Sequence, residues 1–463
     1  MHSTPQAGSD SAWTSRFAFL MASVGFAVGL GNIWRFPYVT GENGGGAFVL
    51  VYLACAVGIG VPILMAEIMI GRRGGKSPPD SMQNVAQEEG RAPSWRWVGN
   101  LNLGAAFLIE IVYCVIAGWV LYYLFQSLSG GFSDMNADVA AATFNGLLAS
   151  TSTMLFWTIV GLAITGAIVY SGVQGGIEKA VTVLMPTLFI LLVILVIYNI
   201  FNGGFPEAVS YLFSVDFSKI NGGVWLAAVS QAFFSMGVAM AGMMTFGSYL
   251  PKNISIARSA VIIMFADTLV AILAGLVIFP AVFSNGMDPA GGPGLIFQIL
   301  PIAFSQMPGG YIVGALFFVL LSVAAITSMV GLIEPLVAWM QDVHKATRER
   351  ATIIMVSLIG VFSILSVLAY NSLSHLQIMG KGLNDSLSFL SDSIMLPLGG
   401  LLIAVFAGWC VSKAASKDEL NMDSDILYSA WHFMIRFVVP VGVAVILYTG
   451  VFWRTFKKAF RYS

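Results

Sequence analysis

Gly25-Phe26-Ala27-Val28-Gly29-Leu30-Gly31-Asn32 interrupts an apolar run that extends from residue 16 to residue 40. A run of about 20 apolar residues is long enough to cross a bilayer as a helix. Three glycines and an asparagine weaken that helix at its middle. Lipid offers no hydrogen-bond partner to freed N–H and C=O groups. Unwound backbone at such depth therefore persists only where it lines a cavity or binds something. A second soft stretch, Ser235-Met236-Gly237-Val238-Ala239-Met240-Ala241-Gly242, lies five apolar runs further on. Small residues also let helices pack closely, so either stretch alone would be ambiguous. Their pairing, with Asn32 and Ser235 inside the soft segments, favours a site.

Composition places both stretches in a membrane. Of 463 residues, 57 % are hydrophobic and 10 % are charged, against about 25 % charged in a soluble globular protein. The net charge of −1 leaves no electrostatic footprint for a nucleic acid. Cys55, Cys114 and Cys410 lie in apolar runs without a pairing motif and read as small buried hydrophobes. His2, His344, His375 and His432 are too dispersed for a metal cluster.

Eleven runs reach membrane length: 16–40, 46–71, 97–128, 153–171, 177–201, 225–249, 257–284, 309–340, 351–371, 385–412 and 427–453. They are continuous rather than alternating, so the fold class is all-α and polytopic. Lys and Arg gather in the 72–96, 250–258 and 341–350 connectors and are missing from 129–152 and 285–308. This bias puts the first group, and the N-terminus, on the cytoplasmic side of a multi-pass protein of the cell membrane. Eleven spans then leave the C-terminus outside, whereas Arg454, Lys457, Lys458 and Arg461 favour the inside. The polar segment 1–12 is expected to be disordered.

Interrupted first and sixth spans point to two inverted five-helix repeats, 13–201 and 225–413, with 427–453 as an additional helix. A half-helix N-terminus presents free N–H groups and partial positive charge, which suit a carboxylate. Released carbonyls suit a hard cation such as Na⁺. Local physics therefore suggests an anionic or zwitterionic solute bound beside cations.

The residues around the first break carry a resemblance. Trp13-Thr14-Ser15-Arg16, the Gly25 to Asn32 stretch, Ile33-Trp34-Arg35-Phe36-Pro37-Tyr38 and Glu42-Asn43-Gly44-Gly45-Gly46-Ala47-Phe48 closely resemble the opening of the neurotransmitter:sodium symporters. Gln231-Ala232-Phe233-Phe234-Ser235 and Ala324-Ala325-Ile326-Thr327-Ser328 match as well. The likeness is to the bacterial branch that carries leucine and other hydrophobic amino acids. It implies a sodium-coupled symporter working by alternating access, embedded in lipid, with an amino acid as its substrate and no enzymatic step. A channel or a substrate-sensing receptor on the same fold is the alternative.

The resemblance also assigns roles. One sodium would be held by Ala27, Asn32, Ser235 and Asp267, and a second by Gly25, Val28, Ala324, Thr327 and Ser328. Alone, the hydroxyls of Thr327 and Ser328 could equally bond carbonyls one turn back. Tyr113, with backbone N–H groups near Leu30 and Gly31, would hold the substrate carboxylate. Ile109, Ile116, Phe234, Gly237, Met240, Ser328 and Leu332 would line an apolar side-chain pocket. Monoamine carriers of the family place an Asp where Gly29 stands, so a zwitterion is expected here. Asp267 occupies the position that is Asn in chloride-dependent relatives; its fixed charge implies chloride-independent transport.

The remaining departures concern the gates. Arg35 would meet an outer-gate carboxylate, but the best-aligned position is Ser388; either Asp385, one turn earlier, substitutes or a hydrogen bond serves. Asp342 is present for an inner latch, yet its expected Arg partner is Asp10, leaving Trp13 and Tyr249 to close that side by packing. Gly176 and Pro186 resemble an element tied to cytoplasmic opening, or simply kink a packing helix. Glu67, Glu110 and Glu334 lie in or near spans without an assigned role, beyond a possible proton or helix-pairing site at Glu110.

Overall fold

The computed structural model describes residues 12–132, 135–201, 203–289, 294–378, 380–422 and 424–448. Asp10, the rest of segment 1–11, the end of the last apolar run and the basic tail lie outside the described residues.

Among the described residues, nine helices are long and apolar enough to span a bilayer: Gly46–Gly74, Pro93–Leu128, Thr151–Tyr170, Val173–Ile200, Ile256–Ser284, Gly310–His344, Arg348–Leu368, Leu383–Cys410 and Asp425–Leu447. A tenth is a bent pair, Arg16–Ala27 and Gly31–Glu42, with 47° between its halves. The sixth apolar run divides into Gly222–Ser235 and Gly242–Ser248, each too short to span alone. With the bent pair counted as one, the described residues give ten membrane-length segments, and the sixth run, expected as one more, is present as those two shorter helices. The described strands are Gln377–Ile378 and Lys381–Gly382, paired antiparallel in a hairpin before the tenth span.

Burial separates the centre from the rim. The most apolar stretch of Gly310–His344 is 89 % buried, against 28 % for Asp425–Leu447. The eighth span is therefore a central post, packed on the third, first and fifth, and the eleventh faces outward. Exposed Val183, Ile190, Ile194 and Ile197 on the fifth span suit contact with acyl chains.

Both breaks have local causes. Ser15 caps Arg16–Ala27 by accepting from the Ala18 N–H at 3.1 Å. That helix ends at Val28, whose backbone is extended (φ −76°, ψ 93°). In the sixth span, Gly237, Ala239 and Ala241 all have positive φ, at 63°, 61° and 65°. Two alanines in that region are held against their preference. Part of the restraint is Glu67 of the second span, whose Oε1 accepts from the Ala239 N–H at 2.8 Å. The ring of Phe26 fills the space left by three glycines. A Cβ would come within 2.1 Å of it at Gly331, 2.3 Å at Gly242 and 2.7 Å at Gly237.

Candidate functional site

The two breaks face each other across a cavity of about 20 Å³. Its walls are Phe26, Ala27, Gly29, Gly31, Ile109, Tyr113, Phe234, Gly237, Met240, Ser328 and Leu332. Of the expected lining, Ile116 is not among these residues, although it is buried on the same helix. Leu30 contributes backbone: its N–H donates to the Tyr113 hydroxyl at 3.0 Å. Gly29 leaves no room for a side chain, because a Cβ would lie 2.2 Å from Ser328 Oγ and 2.7 Å from Tyr113 Oη.

Beside this cavity is a cluster of fully buried oxygens. Asn32 Nδ2 donates to Asp267 Oδ1 at 2.7 Å, to the Asp267 carbonyl at 2.9 Å and to Ser235 Oγ at 3.1 Å. Ser235 Oγ donates to Asp267 Oδ2 at 2.6 Å. Tyr52 donates to the same Oδ2 at 3.1 Å and lies 3.2 Å from Ser235 Oγ. A buried carboxylate ringed by neutral donors is suited to hold one hard cation, whose charge would offset its own. Tyr52 was not singled out from sequence; a tyrosine within a continuous apolar run carries no local sign of the direction it faces.

A second oxygen group joins the first and eighth spans. Ser328 Oγ lies 3.2 Å from the Phe26 carbonyl and 3.4 Å from that of Gly25. Thr327 Oγ1 donates to the carbonyls of Val323 at 3.0 Å and Ala324 at 3.2 Å. The one-turn-back bond is thus present for Thr327, while Ser328 reaches across to the break. A Cβ at Gly25 would lie 3.3 Å from Thr327 Cβ, so the two spans are in contact there. Val28 is buried at the end of the half-helix.

The gates depart from expectation. Asp385 does not meet Arg35. It is exposed in the first turn of the tenth span, beside the hairpin. Arg35 instead donates to Ser230 Oγ at 3.0 Å and lies 4.6 Å from the Phe234 ring centroid. The carboxylate whose field Arg35 does reach is Asp392. It sits seven residues deeper, within a widened turn, Phe389–Met395, about 10 Å further along the helix at 1.5 Å per residue. No hydrogen bond joins Ser388 to Arg35 among the described residues; the Ser388 carbonyl accepts from Ser391 at 3.2 Å. Asp342 also turns elsewhere: it accepts from the Ser77 N–H at 2.6 Å and lies 3.5 Å from Lys76 Nζ.

Other groups make the contacts at that end. Trp13 donates from its backbone to the Tyr249 carbonyl at 3.1 Å and from Nε1 to the Phe246 carbonyl at 3.0 Å. The Trp13 and Tyr249 rings are 6.2 Å apart. Tyr249 Oη donates to Glu334 at 2.9 Å, and Arg348 grips the same carboxylate in bidentate fashion at 3.0 and 2.5 Å. Thr14 bonds through its N–H and its hydroxyl to Glu178 of the fifth span. Glu178 lies in the same widened turn as Gly176, Val173–Glu178, which ends eight residues before Pro186.

Comparison with known proteins decides the family. The model of the sodium:neurotransmitter symporter family matches residues 10–139 and 148–462. The chain belongs to the sodium:neurotransmitter symporter family. A sodium-dependent transporter of Bacillus subtilis strain 168, YhdH, is 35 % identical over 94 % of this chain and 96 % of its own length. A sodium-dependent transporter of Haemophilus influenzae is 33 % identical over 95 % of this chain and 98 % of its own. The crystal structure of MhsT in complex with L-phenylalanine superposes with a TM-score of 0.88 at 40 % identity, covering 94 % of this chain and 98 % of that one. The symporter is accordingly a sodium-dependent, multi-pass membrane transporter and not an enzyme.

Proposed function

We propose that the protein imports a hydrophobic or aromatic L-amino acid with sodium across the cell membrane, by alternating access and without chloride. The observation that carries this reading is the adjacency of two chemistries at the broken helices. An apolar cavity ends at Tyr113 and the Leu30 N–H, and the Asn32–Ser235–Asp267–Tyr52 cluster lies next to it. L-phenylalanine in MhsT supports the substrate class.

In this reading the substrate carboxylate meets Tyr113 and the N–H groups near Leu30 and Gly31, and its side chain displaces Phe234 and Met240. A cavity of 20 Å³ admits a bulky group only as those flexible walls move. One sodium takes Ala27, Asn32, Ser235 and Asp267 as ligands, and Tyr52 braces the carboxylate. The other takes the carbonyls of Gly25, Val28 and Ala324 with Thr327 and Ser328. Repeats 13–201 and 225–413 rock about this site, and the N-terminus lies in the cytoplasm. Arg35 over Phe234 forms the outer gate; Trp13, Tyr249, Glu334 and Arg348 form the inner one.

Uptake into proteoliposomes tests the reading. With an inward sodium gradient, a panel of amino acids should show saturable uptake of bulky aliphatic or aromatic members. Replacing chloride with gluconate should leave that uptake unchanged, and tryptamine should not substitute for tryptophan. Binding without sodium-driven accumulation would instead identify a receptor, and currents far above substrate turnover a channel.

A further inference from the structure

Away from the transport site, Lys413, His432 and Arg436 line one cavity of about 200 Å³ with Tyr428, Phe433 and Phe437. It lies where the tenth span ends against the eleventh. Trp409 Nε1 donates to the Arg436 carbonyl at 3.2 Å, and Arg91 of the arginine-bearing connector reaches the Cys410 carbonyl at 3.4 Å. The cavity is therefore level with the basic end of the molecule.

None of the three basic side chains makes an ion pair among the described residues. Three acids of this end are engaged elsewhere, Asp425 with Lys417 at 2.8 Å, Glu419 with Arg72 at 2.5 Å and Glu89 with Arg73 at 2.5 Å, and the exposed Asp418 forms no ion pair among the described residues. Arg436 Nε is buried without a hydrogen-bond partner, and the guanidinium lies 4.2 Å from the Trp409 ring centroid. His432 is 8 % exposed and packs against the rings of Tyr428 and Trp431. A partly buried guanidinium without a counter-charge is costly unless an anion joins it. On the outer side, Phe433 and Phe437 present exposed apolar surface on the span that buries least of itself. A free anion would leave those rings unused, whereas acyl chains would cover them.

We propose that this cavity holds the phosphate of an anionic phospholipid headgroup, with Arg436 and Lys413 as its cationic ligands and His432 as a third donor. The lipid chains lie over Phe433 and Phe437. Basic hollows between spans at a membrane surface are suited to such headgroups. The leaflet follows from the proposed orientation, but the binding does not depend on it.

The purified full-length chain in detergent, titrated separately with phosphatidylglycerol, phosphatidylcholine and inorganic phosphate, tests this by native mass spectrometry and thermal unfolding. Phosphatidylglycerol should be retained and should raise the Tm, with little effect of the other two. Lys413→Gln should weaken retention by about fivefold and the Lys413→Gln/Arg436→Gln pair by more. Lys252→Gln, on a connector at the same end, should leave it unchanged. Equal retention by wild type and the double variant would overturn the proposal, and so would equal stabilisation by inorganic phosphate. Should the double variant not fold, Lys413→Gln decides alone, since that lysine is exposed and unchanged retention would refute its role.

Discussion

At the scale of single residues, Asp267 concentrates the chemistry of the site. Its carboxylate is fully buried and accepts from Asn32, Ser235 and Tyr52. Asp267→Asn keeps the shape and removes the charge. It should raise the sodium concentration for half-maximal uptake by about tenfold or more, the equivalent of ~1.4 kcal/mol, measured as sodium dependence at fixed substrate. Tyr52→Phe removes one donor and no charge, so its shift should be smaller. Gly29→Ala tests the substrate side. Its methyl group would intrude on Ser328 Oγ and Tyr113 Oη, so substrate binding should be lost and the crowding should also lower the unfolding temperature. Asp267 was legible in sequence because an ionisable residue deep in a span is functional by default. Tyr52 was not, since nothing local marks which way an aromatic side chain faces.

At the scale of elements, the breaks were readable and their supports were not. Clustered glycines announce where a helix weakens, whereas the group that satisfies the freed backbone comes from another span. Glu67 shows this, lying 172 residues from the Ala239 N–H it accepts. Glu67→Ala would leave that buried donor unmatched, at about 1–3 kcal/mol. Glu67→Gln keeps an acceptor oxygen. The alanine variant should therefore unfold at lower temperature and take up substrate more slowly, and the glutamine variant should retain most of both. The outer gate failed for a related reason. Asp385 lies in the exposed first turn, Leu383–Ser388, while the widened turn that follows at Phe389–Met395 re-aims Asp392. Asp392, two turns deeper, is a carboxylate that feels the charge of Arg35 without an ion pair between them.

At the scale of the whole molecule, the proposed alternating access needs the inner end to open and close, and one buried ion pair is placed to hold it shut. Glu334 is completely buried in the central eighth span. Its charge is met by Arg348 from the next span and by the Tyr249 hydroxyl at the end of the sixth. Tyr249 in turn holds Trp13 at the start of the first. One ion pair thus ties together the elements that would separate for release in the proposed mechanism. Sequence gave no hint of it, because Arg348 reads as a connector charge that sets orientation. Removing one partner of a buried pair leaves an uncompensated charge, which costs roughly 3–5 kcal/mol, whereas removing both costs far less. Arg348→Gln should therefore lower the unfolding temperature and abolish uptake, while Glu334→Gln/Arg348→Gln should recover much of the stability. If the pair is also the latch, the double variant should remain open at the inner end. Faster hydrogen exchange across Arg16–Ala27 and Gly242–Ser248, with uptake still impaired, would show this; wild-type exchange in a stable double variant would make the pair structural only.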